Sequence, residues 1–340
     1  MVRWSCPVFG KRILAFLVIL PLLPGSRSAL ATPRILLIDT DAGSDDLIAL
    51  LYLLRASAPS SWTVRGITVS NGLAHPPQGA RNILRLLQAA GYAGIPVAVG
   101  RAEPLEGEHA FPDAWRRRAD ALYGLDLDEA SAKPVSIPAS EFLLEQIRAS
   151  PSRVRIIVLG PLTNIAQAIQ ADPTIVRKIE RLVIMGGAVF VPGNAPQERS
   201  VAEWNFYIDP LAGRIVFTSG VAITLVPLDA SRQVPLDEAF VSEFTRRALT
   251  PEGRLVSRLL EAERDLIGQG QYFAWDPLAA MLALQPDVGR TRRLALVVML
   301  RPSVRGQTRV MPGRKANVAV YVSVDPARFR QNFLAAFLPR

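Results

Sequence analysis

Four aspartates stand within eight residues, in the stretch DTDAGSDD: Asp39, Asp41, Asp45 and Asp46. They directly follow the apolar run at residues 35–38. Carboxylates crowded in this way repel one another unless a positive charge lies among them. A site for a hard cation such as Ca²⁺ meets that requirement, because calcium takes about six to eight oxygen ligands. A bound cation also lowers the pKa of a water that it holds, and a neighbouring carboxylate can then remove the proton.

Three other interpretations of this stretch compete. A solvated helix N-terminus accounts for Asp45 and Asp46, which complement the positive end of the helix dipole, but not for the other two acids. An EF-hand loop beginning at Asp39 fails, because Ser44 stands where its invariant glycine belongs and Leu50 where its bidentate acid belongs. An aspartyl-phosphate phosphatase also has Asp-x-Asp after a strand, but the Gly-Ser-Asp-Asp continuation does not suit that chemistry.

The elements that must position these acids alternate along the chain. Strands are predicted over residues 34–38, 64–70, 154–159, 182–185 and 222–227, and helices over residues 46–56, 77–91, 140–149, 162–170 and 255–267. This alternation predicts an α/β fold with a mostly parallel open sheet flanked by helices, a Rossmann-like core in a single domain. Ligands of such sheets bind beyond the carboxyl ends of the strands, where the four aspartates lie. The poorly patterned residues 92–135 are predicted to form a long surface excursion, which in a compact domain is often functional.

Residues 1–31 resemble a secretion signal. Basic residues precede an apolar run at residues 13–23, and Ala-Leu-Ala at residues 29–31 matches a small-x-small cleavage site. The run is too short to span a bilayer comfortably, and an uncleaved anchor is the competing interpretation. Cleavage would leave residues 32–340 as an exported domain, periplasmic or secreted, with no stable membrane association. It would also remove Cys6, the single cysteine, which excludes disulfides, cysteine nucleophiles and thiolate metal sites from the mature chain.

The charge of the chain is mildly basic. It has 39 Lys and Arg against 30 Asp and Glu. Four of the basic residues and none of the acidic ones lie in residues 1–31, so the mature chain has 35 against 30, a net charge of +5. The basic residues are scattered rather than clustered, and we therefore expect no nucleic-acid partner.

The acidic stretch resembles the signature of the inosine–uridine-preferring nucleoside hydrolases, usually Asp-Thr-Asp-Pro-Gly-x-Asp-Asp. Ala42 replaces the proline, at a backbone position where we expect little to be lost. Further motifs of the family follow in its order: LGPLTN at 159–164, MGGA at 185–188, GN at 193–194, AEWN at 202–205, DP at 209–210 and WDP at 275–277. One motif alone would be weak, but six in order are specific. The resemblance runs from about residue 34 to the C-terminus and implies the nucleoside hydrolase fold with Ca²⁺ as cofactor.

The resemblance implies a calcium site with four protein ligands: the side chains of Asp41, Asp46 and Asp276 and the backbone carbonyl of Leu159. The family usually has threonine in place of Leu159, but only the carbonyl is used. Asp41 would also be the general base, taking a proton from the water that calcium binds. Asp39 fits a structural role, orienting the loop through hydrogen bonds.

The resemblance also implies contacts to the nucleoside. Asp45 and Asn205 would hold the 2′- and 3′-hydroxyls of ribose, Asn194 and Glu203 would reach the 5′-hydroxyl, and Asp276 would also border the substrate. Cleavage of an N-glycosidic bond passes through an oxocarbenium-like sugar, so carboxylates around the ring stabilise the developing positive charge.

One position after the second predicted strand departs from the family. The family usually has Asn there, or Asp in its purine-specific branch, where this chain has Leu73. Asn71 lies two residues earlier, and the alternation of an extended segment would keep it on the same side. Asn71 is therefore the candidate ribose contact, and the alternative is that one contact is missing.

The leaving base is expected to meet tryptophan. Many family members carry His-Asp-Pro where this chain carries Trp-Asp-Pro, and histidine can donate a proton to the base whereas tryptophan cannot. The purine-specific branch resembles this chain at Trp275 and at FPDAWR around Trp115, and its two tryptophans sandwich the purine. Stacking would stabilise a protonated, departing purine. The alternative is that Trp115 anchors a surface loop and Trp275 is a core residue. His75 and His109 are expected to be solvated loop residues.

The predicted function is calcium-dependent hydrolysis of purine ribonucleosides to ribose and free base, by a homo-oligomer (dimer or tetramer). Pyrimidine or mixed specificity is one alternative. An exported nucleoside-binding protein without catalysis is another, from a different functional class. The complete set of acids favours the enzyme, because a binding protein gains nothing from a proton acceptor beside a metal.

Overall fold

The computed structural model describes residues 1–5, 7, 10, 34–196 and 201–339. The chain divides into two units, Met1–Ala31 and Thr32–Arg340. Most of the predicted secretion signal, including its apolar run and cleavage site, lies outside the described residues. Within the described ranges, every helix is too short or too polar to cross a membrane.

The second unit is built on a sheet with helices on both faces. Its strands are β1 (Arg34–Thr40), β2 (Trp62–Val69), β3 (Val97–Val99), β4 (Val154–Val158), β5 (Ile179–Met185), β6 (Ile223–Val226), β7 (Gly289–Leu294), β8 (Leu296–Val298), β9 (Thr308–Val310) and β10 (Val318–Val324). Eight of them form one sheet in the order β3-β2-β1-β4-β5-β6-β10-β7. Only the β10–β7 pair in this sheet is antiparallel, whereas β8 and β9 form a separate antiparallel pair. The predicted α/β fold with a mostly parallel sheet is confirmed.

The helices cover both faces of the sheet. They are α1 (Ser44–Ser57), α2 (Pro76–Ala89), α3 (Asp113–Asp120), α4 (Ala139–Ala149), α5 (Thr163–Ala171), α6 (Trp204–Ile208), α7 (Pro210–Thr218), α8 (Leu228–Ser231), α9 (Glu238–Arg247), α10 (Pro251–Ala262), α11 (Arg264–Gly268), α12 (Trp275–Leu284) and α13 (Pro326–Ala336). Short 3₁₀ turns lie at Ala58–Ser60, Leu122–Gly124, Pro173–Lys178, Pro286–Val288 and Pro302–Val304.

Strand β1 shows why the apolar runs form a doubly covered sheet. Leu36 and Ile38 belong to the core under α1, α2 and α12, while Ile35 and Leu37 belong to the core under α4, α5 and α7. Successive side chains of a strand point to opposite faces, so a continuous apolar run is needed when both faces are buried. The sheet thus has one apolar core on each side.

The order of the strands places the loops of interest together. From β1 the chain runs to β2 and β3 on one side and returns to β4 on the other side. The neighbouring loops are joined by backbone hydrogen bonds, from Leu159 N–H to the Asp39 carbonyl and from Ser70 N–H to the Thr40 carbonyl, both at 2.8 Å. A reversal of strand order opens a crevice at the carboxyl ends of the strands, where ligands of open α/β sheets bind.

Two sequence-based expectations need correction in detail. The helix predicted over residues 255–267 is two helices, α10 and α11, with Glu263 at the break between them. The excursion predicted over residues 92–135 contains the edge strand β3 and the helix α3, which carries Trp115. An edge strand of three residues and an eight-residue polar helix are too short to give a clear periodic pattern.

Candidate functional site

The acidic loop is folded around Asp46, in the first turn of α1. Its Oδ1 accepts hydrogen bonds from the Asp41 backbone N–H at 3.1 Å and from the Thr40 hydroxyl, and its Oδ2 accepts one from Gly43 N–H at 3.1 Å. A carboxylate in the first turn of a helix is also stabilised by the helix dipole. Asp46 therefore fixes the path of the chain between β1 and α1.

Asp41 is buried and held by the chain that follows β2. Its Oδ2 accepts a hydrogen bond from Leu73 N–H at 2.9 Å, and its carbonyl accepts one from Ala74 N–H at 2.9 Å. Two glycines approach it closely. A Cβ atom on Gly72 would lie 2.0 Å from Asp41 Oδ2, and one on Gly160 would lie 2.9 Å from Asp41 Cβ. The Asp41 carboxylate is thus packed directly against backbone.

Three carboxylates converge next to Asp41. Asp45, Asp46 and Asp276 each offer an oxygen within 4.8 Å of the others, and Asp276 comes from the first turn of α12. Asp276 Oδ1 is buried and has no hydrogen-bond partner among the described residues. The pKa values of the Asp41, Asp45 and Asp276 carboxyls are raised well above their usual range, first by burial and then by the charge of Asp46.

This donor set fits the cation that the sequence predicts. Hard oxygen atoms, a buried carboxylate oxygen without a partner, and strong mutual repulsion are the features that a divalent ion such as Ca²⁺ would resolve. Of the four predicted ligands, Asp46 and Asp276 lie in the converging cluster with Asp45, and Asp41 adjoins Asp46 through its backbone. The carbonyl of Leu159, which directly follows β4, accepts a hydrogen bond from Asn205.

Asn205 connects two strand ends. Its side-chain Nδ2 donates to the Leu159 carbonyl at 2.7 Å and to the Met185 carbonyl at 3.3 Å. The amide nitrogen is therefore committed to backbone. The other amide atom, Oδ1, is the one that can accept a hydrogen bond from a ribose hydroxyl.

The predicted 5′-hydroxyl contacts lie beside Asn205. Glu203 caps α6 by accepting hydrogen bonds from Asn205 N–H at 2.9 Å and Phe206 N–H at 3.4 Å, and it also accepts from Gly187 N–H at 2.9 Å. Burial raises the pKa of the Glu203 carboxyl to about 7. Asn194 Oδ1 accepts from Trp204 N–H at 3.1 Å. These hydrogen bonds bring together three separate sequence motifs, MGGA, GN and AEWN.

In the segment after β2, the polar side chain is that of Asn71, two residues before the apolar Leu73. Leu73 is half-buried and contributes its backbone N–H to Asp41. Asn71 is buried, and neither of its amide atoms has a hydrogen-bond partner within the described ranges. Buried amides are nearly always paired, so Asn71 is available for a ligand that enters this crevice.

Asp39 has the structural role that the sequence predicts. Its Oδ1 accepts hydrogen bonds from the Thr68 hydroxyl at 2.5 Å and from Asn164 Nδ2 at 2.8 Å, so it joins the ends of β1 and β2 to α5. Burial raises its pKa to about 7. Asp209, at the start of α7, has a similar role that sequence reasoning missed. It accepts from the Thr163 hydroxyl at 2.7 Å and from Leu105 N–H at 2.8 Å.

The two predicted tryptophans lie in separate aromatic clusters. Trp275 begins α12 and meets Tyr272 edge to face, with ring centres 5.4 Å apart. Trp115 is 45% exposed and packs against Trp204 at 5.5 Å and Phe111 at 6.4 Å. No ring contact joins the two in the described part of the chain. Trp204, inside the AEWN motif, is the site aromatic that sequence reasoning missed, although its position between Glu203 and Asn205 was a signal.

The two histidines differ in environment. His75 is exposed, as predicted, and its Nδ1 lies 2.7 Å from Asp120 Oδ2. The expectation that His109 is solvated is wrong, because its ring stacks on Tyr207 at 4.2 Å and its Nδ1 bonds the Tyr207 carbonyl at 2.7 Å. A loop histidine becomes half-buried here because an aromatic neighbour covers its face.

Comparison with known proteins agrees with the geometry. The chain is 33% identical over 312 residues to a protein named pyrimidine-specific ribonucleoside hydrolase RihA from Salmonella enteritidis PT4, covering 88% of this chain and 95% of that one. It is 31% identical over 284 residues to a probable uridine nucleosidase 1 from Oryza sativa subsp. japonica, covering 82% and 86%.

Solved structures and the family model give the same assignment. A purine-preferring ribonucleoside hydrolase from Gardnerella vaginalis matches with a TM-score of 0.79 and 25% identity, covering 89% of this chain and 98% of that one. The model of the family described as inosine-uridine preferring nucleoside hydrolase matches residues 36–331. The chain therefore belongs to the inosine-uridine preferring nucleoside hydrolase family.

Proposed function

We propose that this protein hydrolyses the N-glycosidic bond of purine ribonucleosides with Ca²⁺ as its metal, releasing ribose and free base. The observation that carries the proposal is the convergence of three carboxylates from two distant segments, Asp45, Asp46 and Asp276, with Asp41 bonded to Asp46 through its backbone N–H. Such an arrangement can hold a cation, a proton acceptor and a diol within one crevice.

In the proposed site Asp41, Asp46, Asp276 and the Leu159 carbonyl would hold Ca²⁺. When bound, Ca²⁺ would supply the positive charge that lets the buried carboxylates ionise, and it would lower the pKa of a neighbouring water. Asp45 belongs to the same carboxylate cluster, so its oxygens can reach the metal region and the ribose together.

Asp41 is the proposed general base. Its carboxylate is restrained by Leu73 N–H and by close backbone packing, so it cannot turn away from the crevice. A fixed carboxylate removes the proton of the attacking water without a cost for reorienting the side chain. Replacement of Asp41 by Asn, which keeps the shape, should lower kcat by about 100-fold or more.

The ribose would be held by amides and carboxylates around the crevice: Asp45, Asn71, Asn194, Glu203 and Asn205. The hydrogen bonds to hydroxyls fix the ring for attack, and the acids stabilise the positive charge that develops on the sugar. Asn71 supports this assignment, since both its amide atoms are buried and unpaired in the described part of the chain.

The choice of purine rests on Trp275 and Trp115. Trp275 adjoins Asp276, and an indole cannot act as an acid but can stack on a wide, electron-rich base. Trp115 would reach the base from α3, where it is exposed. Pyrimidine specificity is the second candidate, because two of the similar proteins are named for uridine or for pyrimidine ribonucleosides.

The test is a calcium-supplemented assay of base release from inosine, guanosine, adenosine, uridine and cytidine. We expect the purine nucleosides to have the higher kcat/KM, and chelation to abolish turnover until Ca²⁺ is restored. Trp275→Phe, which keeps a flat ring, should retain more purine activity than Trp275→His. Preferential cleavage of uridine would overturn the purine assignment, and tight binding without base release would overturn the enzyme assignment in favour of a nucleoside-binding protein.

We also propose that residues 1–31 direct export and are removed, and that the mature protein is a homo-oligomer. The small-x-small pattern at residues 29–31 supports cleavage. Mass spectrometry of the exported protein should give an N-terminus at residue 32, and retention of residues 1–31 would indicate an anchor. Sedimentation of the mature protein as a monomer would contradict the oligomer.

A further inference from the structure

The helix that carries Trp115 has little apolar surface to hold it in place. In α3 (Asp113–Asp120) Ala119 is the only buried residue. An eight-residue helix is unstable in isolation, and most helical stability in proteins comes from packing of an apolar face. Besides the ring contacts of Trp115 with Phe111 and Trp204, the position of α3 therefore depends on polar contacts at its sides.

One set of contacts ties the C-terminal end of α3 to α2. The His75 backbone N–H donates to Asp120 Oδ1 at 2.9 Å, and the His75 ring lies 2.7 Å from Asp120 Oδ2. Asn82 Nδ2 donates to the carbonyls of Ala119 and Asp120, each at 3.0 Å. These contacts fix the C-terminal end of α3 against α2.

A second contact crosses to the break between α10 and α11. Arg118 Nη2 donates to the Ala262 carbonyl at 2.8 Å and to Glu263 Oε2 at 3.0 Å. Ala262 ends α10, where carbonyls lack helical partners and a cation is favoured by the helix dipole. The Glu263 side chain is 4% exposed, so the pair differs from an ordinary surface ion pair, in which both groups are solvated.

Glu263 also borders the candidate site. Its charge contributes to the raised pKa of the Asp45 carboxyl and of the Tyr272 hydroxyl. Tyr272 is bonded to Ser44 at 3.0 Å, directly before Asp45, and contacts Trp275 edge to face. Arg118 thus bonds α3 to Glu263, which lies near Asp45, the proposed ribose contact, and near Tyr272, which contacts Trp275, the proposed base contact.

The chain leaving α3 is strained, as expected for a segment held by its surroundings. Leu122 and Tyr123 have φ values of 52° and 53°, and Gly124 follows at 76°. Bulky residues rarely adopt the left-handed region, and such strain persists only where neighbouring contacts enforce it. The Arg118 guanidinium lies 5.7 Å from the centre of the Tyr123 ring and covers this turn.

We propose that Arg118 is a positioning residue for nucleoside binding: its ion pair with Glu263 holds α3 so that Trp115 stays at the base end of the site. The inference rests on the proposed function. Trp115 lies three residues before Arg118 and contacts Trp204, which adjoins Glu203 and Asn205. Residues three apart share a helix face, so loss of the Arg118 contact releases the face that carries Trp115.

The test compares Arg118→Gln with Arg117→Gln, a matched change on the same exposed helix. Arg118→Gln should raise KM by about tenfold, the scale of one partly exposed charge-assisted hydrogen bond, with kcat within about twofold of wild type. Glu263→Gln should have a similar effect, and the double variant should be no worse than the more affected single variant. Arg118→Lys should recover part of the loss, and Arg117→Gln should match wild type.

Hydrogen exchange over residues 113–120 tests the same contact without relying on activity. Arg118→Gln should speed exchange in this segment, and Arg117→Gln should not. The inference is overturned if Arg118→Gln leaves KM and exchange unchanged, if Arg117→Gln has the same effect, or if the two single effects add in the double variant. If wild type releases no base from any nucleoside, the proposed function fails, and exchange still decides whether Arg118 holds α3.

Discussion

The substitution Gly72→Ala tests how tightly the Asp41 carboxylate is held. A Cβ atom at residue 72 would lie 2.0 Å from Asp41 Oδ2 and 2.4 Å from Asp41 Cβ. Ordinary contacts of this kind begin at 3.4 Å, so the two groups must separate by about 1.4 Å. Gly72 does not have a left-handed φ, so alanine is compatible with its backbone and the expected effect is purely steric.

The Asp41 side chain has no free direction in which to yield. Its Oδ2 is bonded to Leu73 N–H, Gly160 packs on its other side, and its own backbone N–H is bonded to Asp46. Overpacking of this kind costs about 1–3 kcal/mol of stability. A displacement of about 1 Å in a reacting group costs about 100-fold in rate, so the proposed general base should lose most of its effect.

The assay measures kcat for base release and the free energy of unfolding in urea for Gly72→Ala and for Gly94→Ala. Gly94 is the matched control, because its added Cβ would meet nothing within 4 Å. Gly72→Ala should lower kcat by about 100-fold and stability by about 1–3 kcal/mol, whereas Gly94→Ala should change neither. Wild-type kcat and stability in Gly72→Ala would refute the packing argument, and so would a further large loss when Gly72→Ala is added to Asp41→Asn.

Three further predictions concern stability. Without calcium, the melting temperature should fall as pH rises from about 4 to about 7. Burial raises the pKa of Asp39 and Glu203 to about 7, so over this range the folded state keeps protons that the unfolded state has lost. Melting curves recorded in chelator test this, and a melting temperature that rises over that range would contradict it. Ala42→Pro should lower the free energy of unfolding in urea by about 3 kcal/mol or more. Ala42 has φ 60° and its N–H donates to Thr40 Oγ1, and proline allows neither. Near-wild-type stability would show that the loop relaxes. Asp209→Ala should cost about 2–4 kcal/mol by leaving buried donors unpaired, which denaturant titration measures against wild type.

The sheet and the acidic loop were predictable for local reasons. Residues 35–38 are apolar on both faces, which only a doubly covered strand requires, and the acids follow directly where ligands of such sheets bind. Resemblance in the motifs then brought Asp276 to the same place, a contact between residues more than 200 positions apart that no periodicity can show. The expectation that Ala42 simply replaces proline missed its left-handed backbone, because φ is set by the hydrogen bonds of Asp46 around it.

Side-chain partners across loops could not be predicted. The exposed helix α3 has no apolar stripe, so nothing in its sequence shows that Arg118 reaches Glu263 or that Trp115 meets Trp204. Glu263 itself lies in a predicted continuous helix, and the break that makes it a fixed anchor depends on tertiary packing. Long-range polar contacts of this kind depend on the path of the whole chain rather than on spacing.

The raised pKa values bear on how the site assembles. Burial and then the charge of Asp46 raise the pKa values of the Asp41, Asp45 and Asp276 carboxyls and so oppose their ionisation. The protein therefore keeps these acids together at a cost to its own stability, which the backbone bonds of Asp46 offset locally. A cation bound by these carboxylates would offset this opposition, and because its binding would displace protons we expect metal affinity to rise with pH. If Asp41 is the general base, as proposed, it accepts a proton only when it is ionised, so the proposed cation would have to bind before the nucleoside is cleaved.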